Sequence, residues 1–271
     1  MEAALQRRIQ RYGWDKAAAY YETFWQDQLQ PAQDILLQMA DLKPGESVLD
    51  IACGTGLVSF DALAKLGEKG RLLGTDISDK MVEMATSLAA EKGENRVQFA
   101  RMDAEELSLP DNLFDVTLCS LGLMYMPDPG KALKEMRRVL KPGGRAVAAV
   151  WGQRVKCGWA DIFEIVDRHV ASEVCPMFFN LGNVDMLKLH LMEAGFENIE
   201  VRRISTILFY KDPGEALGAA FDGGPVALAY HKFSDAVKDE VHADYLASIE
   251  PYKKGKGYEV PGEFVIASGK C

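Results

Sequence analysis

Val48-Leu49-Asp50-Ile51-Ala52-Cys53-Gly54-Thr55-Gly56 is an apolar run that ends in a carboxylate and breaks into a glycine turn. The residues from Leu57 to Leu66 then alternate as a helix does. A strand, a glycine turn and a helix N-terminus in that order bring backbone N–H groups beside a ligand. A second apolar run, Arg71–Thr75, ends at Asp76. That acid lies roughly 20 residues past Gly56, the distance at which a carboxylate at the tip of the next strand grips a ribose diol. The pair predicts a nucleoside-bearing cofactor.

Outward from this stretch, strand and helix alternate. Ser78 is placed to cap a helix over 79–91, and Val97–Met102 and Phe114–Ser120 read as strands. Asp128-Pro129 opens a helix expected to run through Leu140 and stop at Lys-Pro-Gly-Gly, before a fifth strand, Arg145–Trp151. Such alternation with short connections, and runs as apolar as Ala146-Val147-Ala148-Ala149-Val150, predict a parallel sheet covered on both faces. After Trp151 the rhythm weakens. Helices are expected over 156–171, 184–194 and 234–249, a long strand over 199–209, a capping box at Asp212–Glu215 and a short last strand over 263–267. At the other end, Tyr12, Trp14, Tyr20, Tyr21, Phe24 and Trp25 precede a helix expected to begin near Pro31.

Composition narrows the class. The 271 residues are 48% hydrophobic and 26% charged, and 40 acidic against 31 basic side chains give a net charge of −9. That balance argues against nucleic acid or an anionic membrane as the main partner. No apolar run reaches the roughly 18–20 residues of a membrane span, and the first residues lack the apolar stretch of a signal peptide. Five cysteines without regular spacing suggest reduced thiols. A soluble, cytoplasmic protein acting on a small molecule is expected.

The turn also discriminates between cofactors. A dinucleotide fingerprint needs a third glycine where this chain has Ser59, and Asp50 would repel a pyrophosphate. A sulfonium or ammonium would welcome the same carboxylate. With Val48–Gly56, the stretches Gly74–Ser78, Met102–Glu105 and Arg138–Gly144 make the chain resemble the class I S-adenosylmethionine-dependent methyltransferases. Gly122-Leu123-Met124-Tyr125 followed by Pro127-Asp128-Pro129 is most similar to the group related to ubiquinone/menaquinone-biosynthesis methyltransferases. The likeness covers residues 44–152 closely and the flanks loosely.

The resemblance implies an α/β, doubly wound, Rossmann-like sheet of seven strands, the last antiparallel, with helices on both faces. It implies an N-terminal helical flap (1–43), a cofactor-binding core (44–152), a helical cap (153–197) and a segment that completes the sheet and walls the acceptor site (198–271). It also implies roles. Asp50 and the backbone of Ala52, Gly54 and Gly56 would border methionine and ribose, and Asp76 would bind the ribose hydroxyls. Ile77 would pack on the adenine, with Met81 as core or pocket wall, Asp103 and the Ala104 N–H would bond the adenine, and Ser120 would lie near the methionine amine. Tyr21 and Trp25 would help close the pocket, where an aromatic face attracts a sulfonium by roughly 0.5–2 kcal/mol. Where relatives carry a first glycine, this chain has Ala52.

The acceptor side is read from aromatic residues. Tyr125, just past the fourth strand, is expected to line the acceptor cavity with Phe178 and Phe179, which suits a fairly apolar, aromatic or quinone-like molecule. His231 and Tyr125 are the candidates for proton transfer, which methyl transfer does not always require. Cys157 and Cys175 raise metalloid methylation, but they lack a third clustered thiol, and no metal is expected. Aminopropyl transfer in the same pocket, or cofactor sensing without turnover, are the alternatives.

Overall fold

The computed structural model describes residues 2–171, 175 and 177–271. Positions 172–174 and 176 of the expected cap lie outside them. The chain opens with α1 (Ala3–Ala40), followed by β1 (Ser47–Ile51), α2 (Leu57–Lys65), β2 (Arg71–Asp76), α3 (Asp79–Glu91) and β3 (Val97–Arg101). Next come β4 (Phe114–Ser120), α4 (Pro129–Arg138) and β5 (Leu140–Trp151), then two short helices, α5 (Ile162–Asp167) and α6 (Met186–Glu193). The last third comprises β6 (Glu197–Tyr210), α7 (Pro213–Leu217) with a π-helical turn over Gly218–Asp222, α8 (Ala227–Tyr230), α9 (Asp235–Ile249), β7 (Lys253–Lys254) and β8 (Gly257–Lys270).

The sheet order is β3-β2-β1-β4-β5-β8-β6, with the two-residue β7 paired to β8. From β3 to β5 neighbours are parallel, and β8 runs antiparallel to both β5 and β6. This is the doubly wound sheet expected, with one reversed strand and a short hairpin strand added. In this order the reversal between β1 and β4 puts a crevice beyond the strands' carboxyl ends, where such sheets bind ligands. The central strands are buried end to end, as in Ala146–Trp151, because helices cover both faces.

Capping explains several boundaries. Ser78 Oγ accepts from Met81 N (3.1 Å), Asp128 Oδ1 from Lys131 N (2.9 Å) and Asp212 Oδ1 from Glu215 N (2.9 Å). The Glu215 carboxylate reaches Lys211 N instead of closing the box on Asp212.

Four segments differ from expectation. Pro31 does not begin a helix but lies inside α1. A proline in a helix interior costs about 3 kcal/mol, and burial of Leu29, Ala32, Leu36, Leu37 and Ala40 around it offsets that. The 38-residue helix crosses the sheet against β4, β5, β8 and β6, and the Arg145 guanidinium binds the carbonyls of Ala40 and Asp41 at its C-terminus. α4 ends at Arg138, and β5 takes in the Lys-Pro-Gly-Gly segment. The helix expected over 156–171 is reduced to a 3-10 turn at Arg154–Lys156 and the six residues of α5. β8 is 14 residues long although Gly257, Pro261 and Gly262 interrupt its pattern. Pairing with β5 ends at Phe264, so Pro261 lies where only β6 flanks the strand. On the free edge of β6, the Gln28 side chain bonds both the carbonyl (2.6 Å) and the N–H (3.0 Å) of Phe209.

Candidate active site

The turn after β1 is built by its own strained residues. Ala52, Gly54 and Gly56 all have positive φ (54°, 56° and 96°). For Ala52 this left-handed backbone is unfavourable by about 1–2 kcal/mol. It is tolerated because Gly122 faces it: a Cβ on Gly122 would stand 2.5 Å from the Ala52 methyl. Three amides of the turn are already bonded within the protein. Cys53 N donates to Thr75 O (3.0 Å), Gly56 N to Cys53 O (3.0 Å) and Gly54 N to Asp76 Oδ2 (2.9 Å).

Asp76 therefore organises the turn from the neighbouring strand. Its other oxygen, Oδ1, accepts from Ser78 N (2.8 Å). The two oxygens offer four lone-pair sites against three backbone amides, those of Gly54, Ser78 and Ile77, so the carboxylate keeps acceptor capacity. Burial raises Asp76 to about 6 against the pull of the Ser78, Gly54 and Ile77 amides, with the Asp15 charge adding a rise. Asp50 is more deeply enclosed: burial raises it to about 7, opposed by the Ser59 hydroxyl, which donates to Oδ2 at 2.6 Å, and assisted by Asp76. Of these two buried carboxyls, Asp76 is the one that lines the cavity.

The cavity over this turn is roofed by α1. Arg7, Gln10, Trp14, Tyr21, Trp25 and Leu29 line it at helical spacing, so one stripe of the helix covers it along its length. Below this stripe the cavity is floored by the tips of the strands, with Ala52, Asp76, Asp103 and Ser120 among its lining. The roof is pinned at its N-terminal end. Arg7 Nε pairs with Asp103 Oδ2 (3.0 Å) and its terminal nitrogen with Glu105; Arg11 Nε donates to Asp79 (3.1 Å); Asp15 accepts from Ser78 Oγ (2.7 Å) and Lys80 N (3.1 Å). Tyr21 stands over Gly54, whose Cβ would be 3.6 Å from its ring. Burial, reinforced by Asp76 and Asp50, drives its phenol well above the ordinary value.

Ala52, Gly54, Asp76, Ile77, Met81, Asp103, Ala104, Ser120, Tyr21, Trp25 and Tyr125 all line this one cavity. Asp50 and Gly56 lie behind the turn and do not. Phe178 and Phe179 back the wall: Phe178 meets Tyr125 edge-on at 5.3 Å and Phe179 meets Trp159 at 5.7 Å. His231 is exposed at the end of α8, apart from the cavity. Residues that sequence reading passed over include Arg7, Gln10, Trp151, Trp159 and Pro225; the first two carried a signal, their spacing with Trp14, Tyr21 and Trp25.

The cavity has two halves. The tips of β1, β2 and β3 supply Ala52, Asp76 and Asp103 to one. The other lies beyond β4 and β5, with Tyr125, Trp151 and Trp159. Strand order sets β5 three spacings from β2, or about 14 Å. The second half is walled by Trp25, Trp151 and Trp159, whose centroids are 4.8–6.4 Å apart. Of the two thiols, Cys175 takes the Gln10 amide at 3.5 Å, and burial pushes it up to about 12; Cys157, also up to about 12 by burial, faces the Glu263 carbonyl at 4.0 Å. Among the described residues no three His, Cys, Asp or Glu side chains converge as metal ligands, and no helix is long and apolar enough to cross a membrane.

Comparison with known proteins agrees with this geometry. The sequence profile of the ubiE/COQ5 methyltransferase family matches residues 25–180. A ubiquinone/menaquinone biosynthesis C-methyltransferase of Enterobacter sp. (strain 638) is 31% identical over 179 residues, 60% of this chain and 71% of that protein. A demethylmenaquinone methyltransferase of Listeria monocytogenes is 33% identical over 134 residues, 49% of this chain and 56% of its own. Among solved structures, phosphoethanolamine N-methyltransferase 2 of Haemonchus contortus, in complex with S-adenosyl-L-methionine, shares the fold at a TM-score of 0.62 and 19% identity, covering 94% of this chain and 57% of that one. The chain belongs to the ubiE/COQ5 methyltransferase family and is an S-adenosylmethionine-dependent methyltransferase.

Proposed function

We propose that the protein methylates a small, fairly apolar ring compound, with S-adenosylmethionine in the half-cavity at β1–β3 and the acceptor in the aromatic half beyond β4 and β5. The observation that carries this reading is the division of one cavity into a carboxylate-lined and an indole-lined half under a single helix. In the first half Asp76 keeps acceptor capacity for the ribose hydroxyls, and Asp103, held by Arg7 and by the Glu105 N–H (2.9 Å), faces the adenine position. Ile77 and Met81 pack below the adenine, and Ser120 lies toward the methionine amine. Tyr21 closes the roof over this half, and Trp25 over the other.

When bound, S-adenosylmethionine supplies a methyl group whose leaving group is a neutral thioether. The chain's own task is then alignment, worth about 7–11 kcal/mol at near-attack geometry. The two halves, fixed on opposite sides of Ala52 and Gly122, hold donor and acceptor in line, and α1 keeps water out. Tyr125 sits at the boundary: burial holds its phenol well above the ordinary value, so it acts as a neutral donor that orients the acceptor. His231 plays no part in this arrangement. Residues 1–43 serve as the roof, 44–152 as the cofactor core, 153–197 as the cap and 198–271 as the remaining wall. The relatives named for quinone biosynthesis support a quinone-like ring. Five unpaired cysteines favour a reducing, cytoplasmic setting.

Aminopropyl transfer would ask for carboxylates around the acceptor. The indole-walled half supplies none among the described residues. The test is isotopic: the protein with methyl-labelled S-adenosylmethionine and a panel of phenols, hydroquinones, amines and thiols. Label in aromatic products is expected. Label confined to aliphatic amines would overturn the acceptor reading.

A further inference from the structure

Two of the indoles that wall the acceptor half carry an unusual debt. Trp25 and Trp159 are 7% and 4% exposed, and the Nε1–H of each is buried without a hydrogen-bond partner. An indole nitrogen is a donor only. A buried tryptophan usually finds it an acceptor, because an unmatched buried donor costs about 1–3 kcal/mol. The two rings line the same cavity, 6.4 Å apart and 71° to each other. The third indole between them, Trp151, is absent from the unmatched set.

The surroundings favour a ligand as the missing partner. Gly223 packs close against Trp25, where a Cβ would already stand 3.3 Å from Nε1, so this segment brings no side chain of its own to accept from the indole. The φ of Gly223 is −91°, which any residue adopts, so the backbone does not require glycine there; the space does. Pro225, two residues on, brings the same segment into the cavity wall. The cofactor's hydrogen-bonding groups are matched at the other end, by the carboxylates at the tips of β2 and β3. What faces the two indoles is the acceptor, and it must bring an atom that accepts.

We propose that the indole N–H groups of Trp25 and Trp159 form a donor pair that holds a carbonyl or phenolate oxygen of the acceptor substrate. This rests on the assignment of the indole-walled half to the acceptor. It makes both residues specificity determinants: an oxygen-free ring of the same shape fills the aromatic wall and leaves both donors unmatched. Discrimination of about tenfold per indole follows from one neutral hydrogen bond each.

The test uses the whole protein, labelled with ¹⁵N at tryptophan and saturated with S-adenosylhomocysteine, whose binding is first measured by calorimetry. Four tryptophans give four indole N–H resonances, assigned by Trp25→Phe and Trp159→Phe. The protein is titrated with 1-tetralone and 1-naphthol, and with tetralin and naphthalene as their oxygen-free parents. Downfield shifts of the Trp25 and Trp159 N–H resonances are expected with an oxygenated probe and not with its parent. A response to 1-tetralone alone identifies a carbonyl, and one to 1-naphthol alone a phenol oxygen. Each Phe variant should lose about tenfold affinity for that probe, with affinity for the parent within about threefold. Unmoved resonances at saturation, or equal losses for probe and parent, would overturn the donor pair, since a ring with only a packing role behaves that way. Failure to bind S-adenosylhomocysteine would instead count against the cofactor assignment. The unmutated protein's resonances decide the matter even if a variant does not fold.

Discussion

Cofactor affinity should fall steeply in mild acid, because the carboxylates beneath the roof titrate near neutrality. Asp76 stands at about 6 and Asp50 at about 7, both raised by burial. A ribose diol donates to an ionised Asp76, so binding requires that proton to leave. With a pKa of about 6, the apparent Kd between about pH 8 and about pH 5 weakens by about tenfold from Asp76 alone. If the cationic ligand also requires Asp50 to ionise, roughly a further hundredfold is added over the same range. Calorimetric titration of S-adenosylhomocysteine across that range, in buffers of differing ionisation enthalpy, reads affinity and protons released together. Loss of affinity toward acid, with proton release at about pH 6, is expected. In Asp76→Asn the first tenfold should disappear. Affinity that is flat or improves toward acid would refute the role given to these groups.

The sign for stability is opposite. Both folded values lie above the unfolded 3.8, so the folded state holds protons that the unfolded chain has released. The ligand-free protein should therefore lose stability as pH rises from about 4 to about 7, seen as a falling urea midpoint, and bound cofactor should reduce the loss. Gly122→Ala sets a methyl 2.5 Å from that of Ala52. Such overpacking costs about 1–3 kcal/mol, and Ala52→Gly in the same chain should restore most of it, because it removes both the clash and the positive-φ strain; no rescue in thermal melts would disprove the contact. Arg7→Gln leaves Glu105, 1% exposed, without its cation and should cost about 1–3 kcal/mol and loosen the roof. Arg7→Gln with Glu105→Gln should recover stability, and faster cofactor release by stopped flow should accompany the single variant alone.

What was legible in the sequence was whatever local chemistry enforces. Asp50 and Asp76 stand at strand ends, Ser78 and Asp128 cap helices, and the core strands are apolar throughout because both faces are covered. The chain from 44 to 152 could be placed from such marks. α1 could not, because its inward stripe mixes Arg7, Gln10 and Trp14 with Leu29 and Leu36, so no simple apolar face announces it, and Pro31 reads as a beginning. β8 was cut short for a similar reason: Pro261 breaks the pattern at a position where only one neighbouring strand, β6, pairs with it. The acceptor cavity was expected from Tyr125, Phe178 and Phe179, yet Trp151 and Trp159 form more of the wall in the half proposed for it. They meet Trp25 only through the sheet order and the crossing of α1, which no local pattern records. Nor does local pattern record that three amides of the glycine turn are taken, by Thr75 O, by Cys53 O and by Asp76, which reaches across to the Gly54 N–H.

The central claim is that the half-cavity under Tyr21 holds S-adenosylmethionine through Asp76. Calorimetry of S-adenosylhomocysteine against the native chain and Asp76→Ala, with NAD as control, tests it most directly. The account predicts binding of one molecule per chain, a loss of at least about a hundredfold in Asp76→Ala as two charge-assisted hydrogen bonds disappear, and no heat from NAD. Undiminished affinity in Asp76→Ala, or binding of NAD in place of S-adenosylhomocysteine, would contradict it.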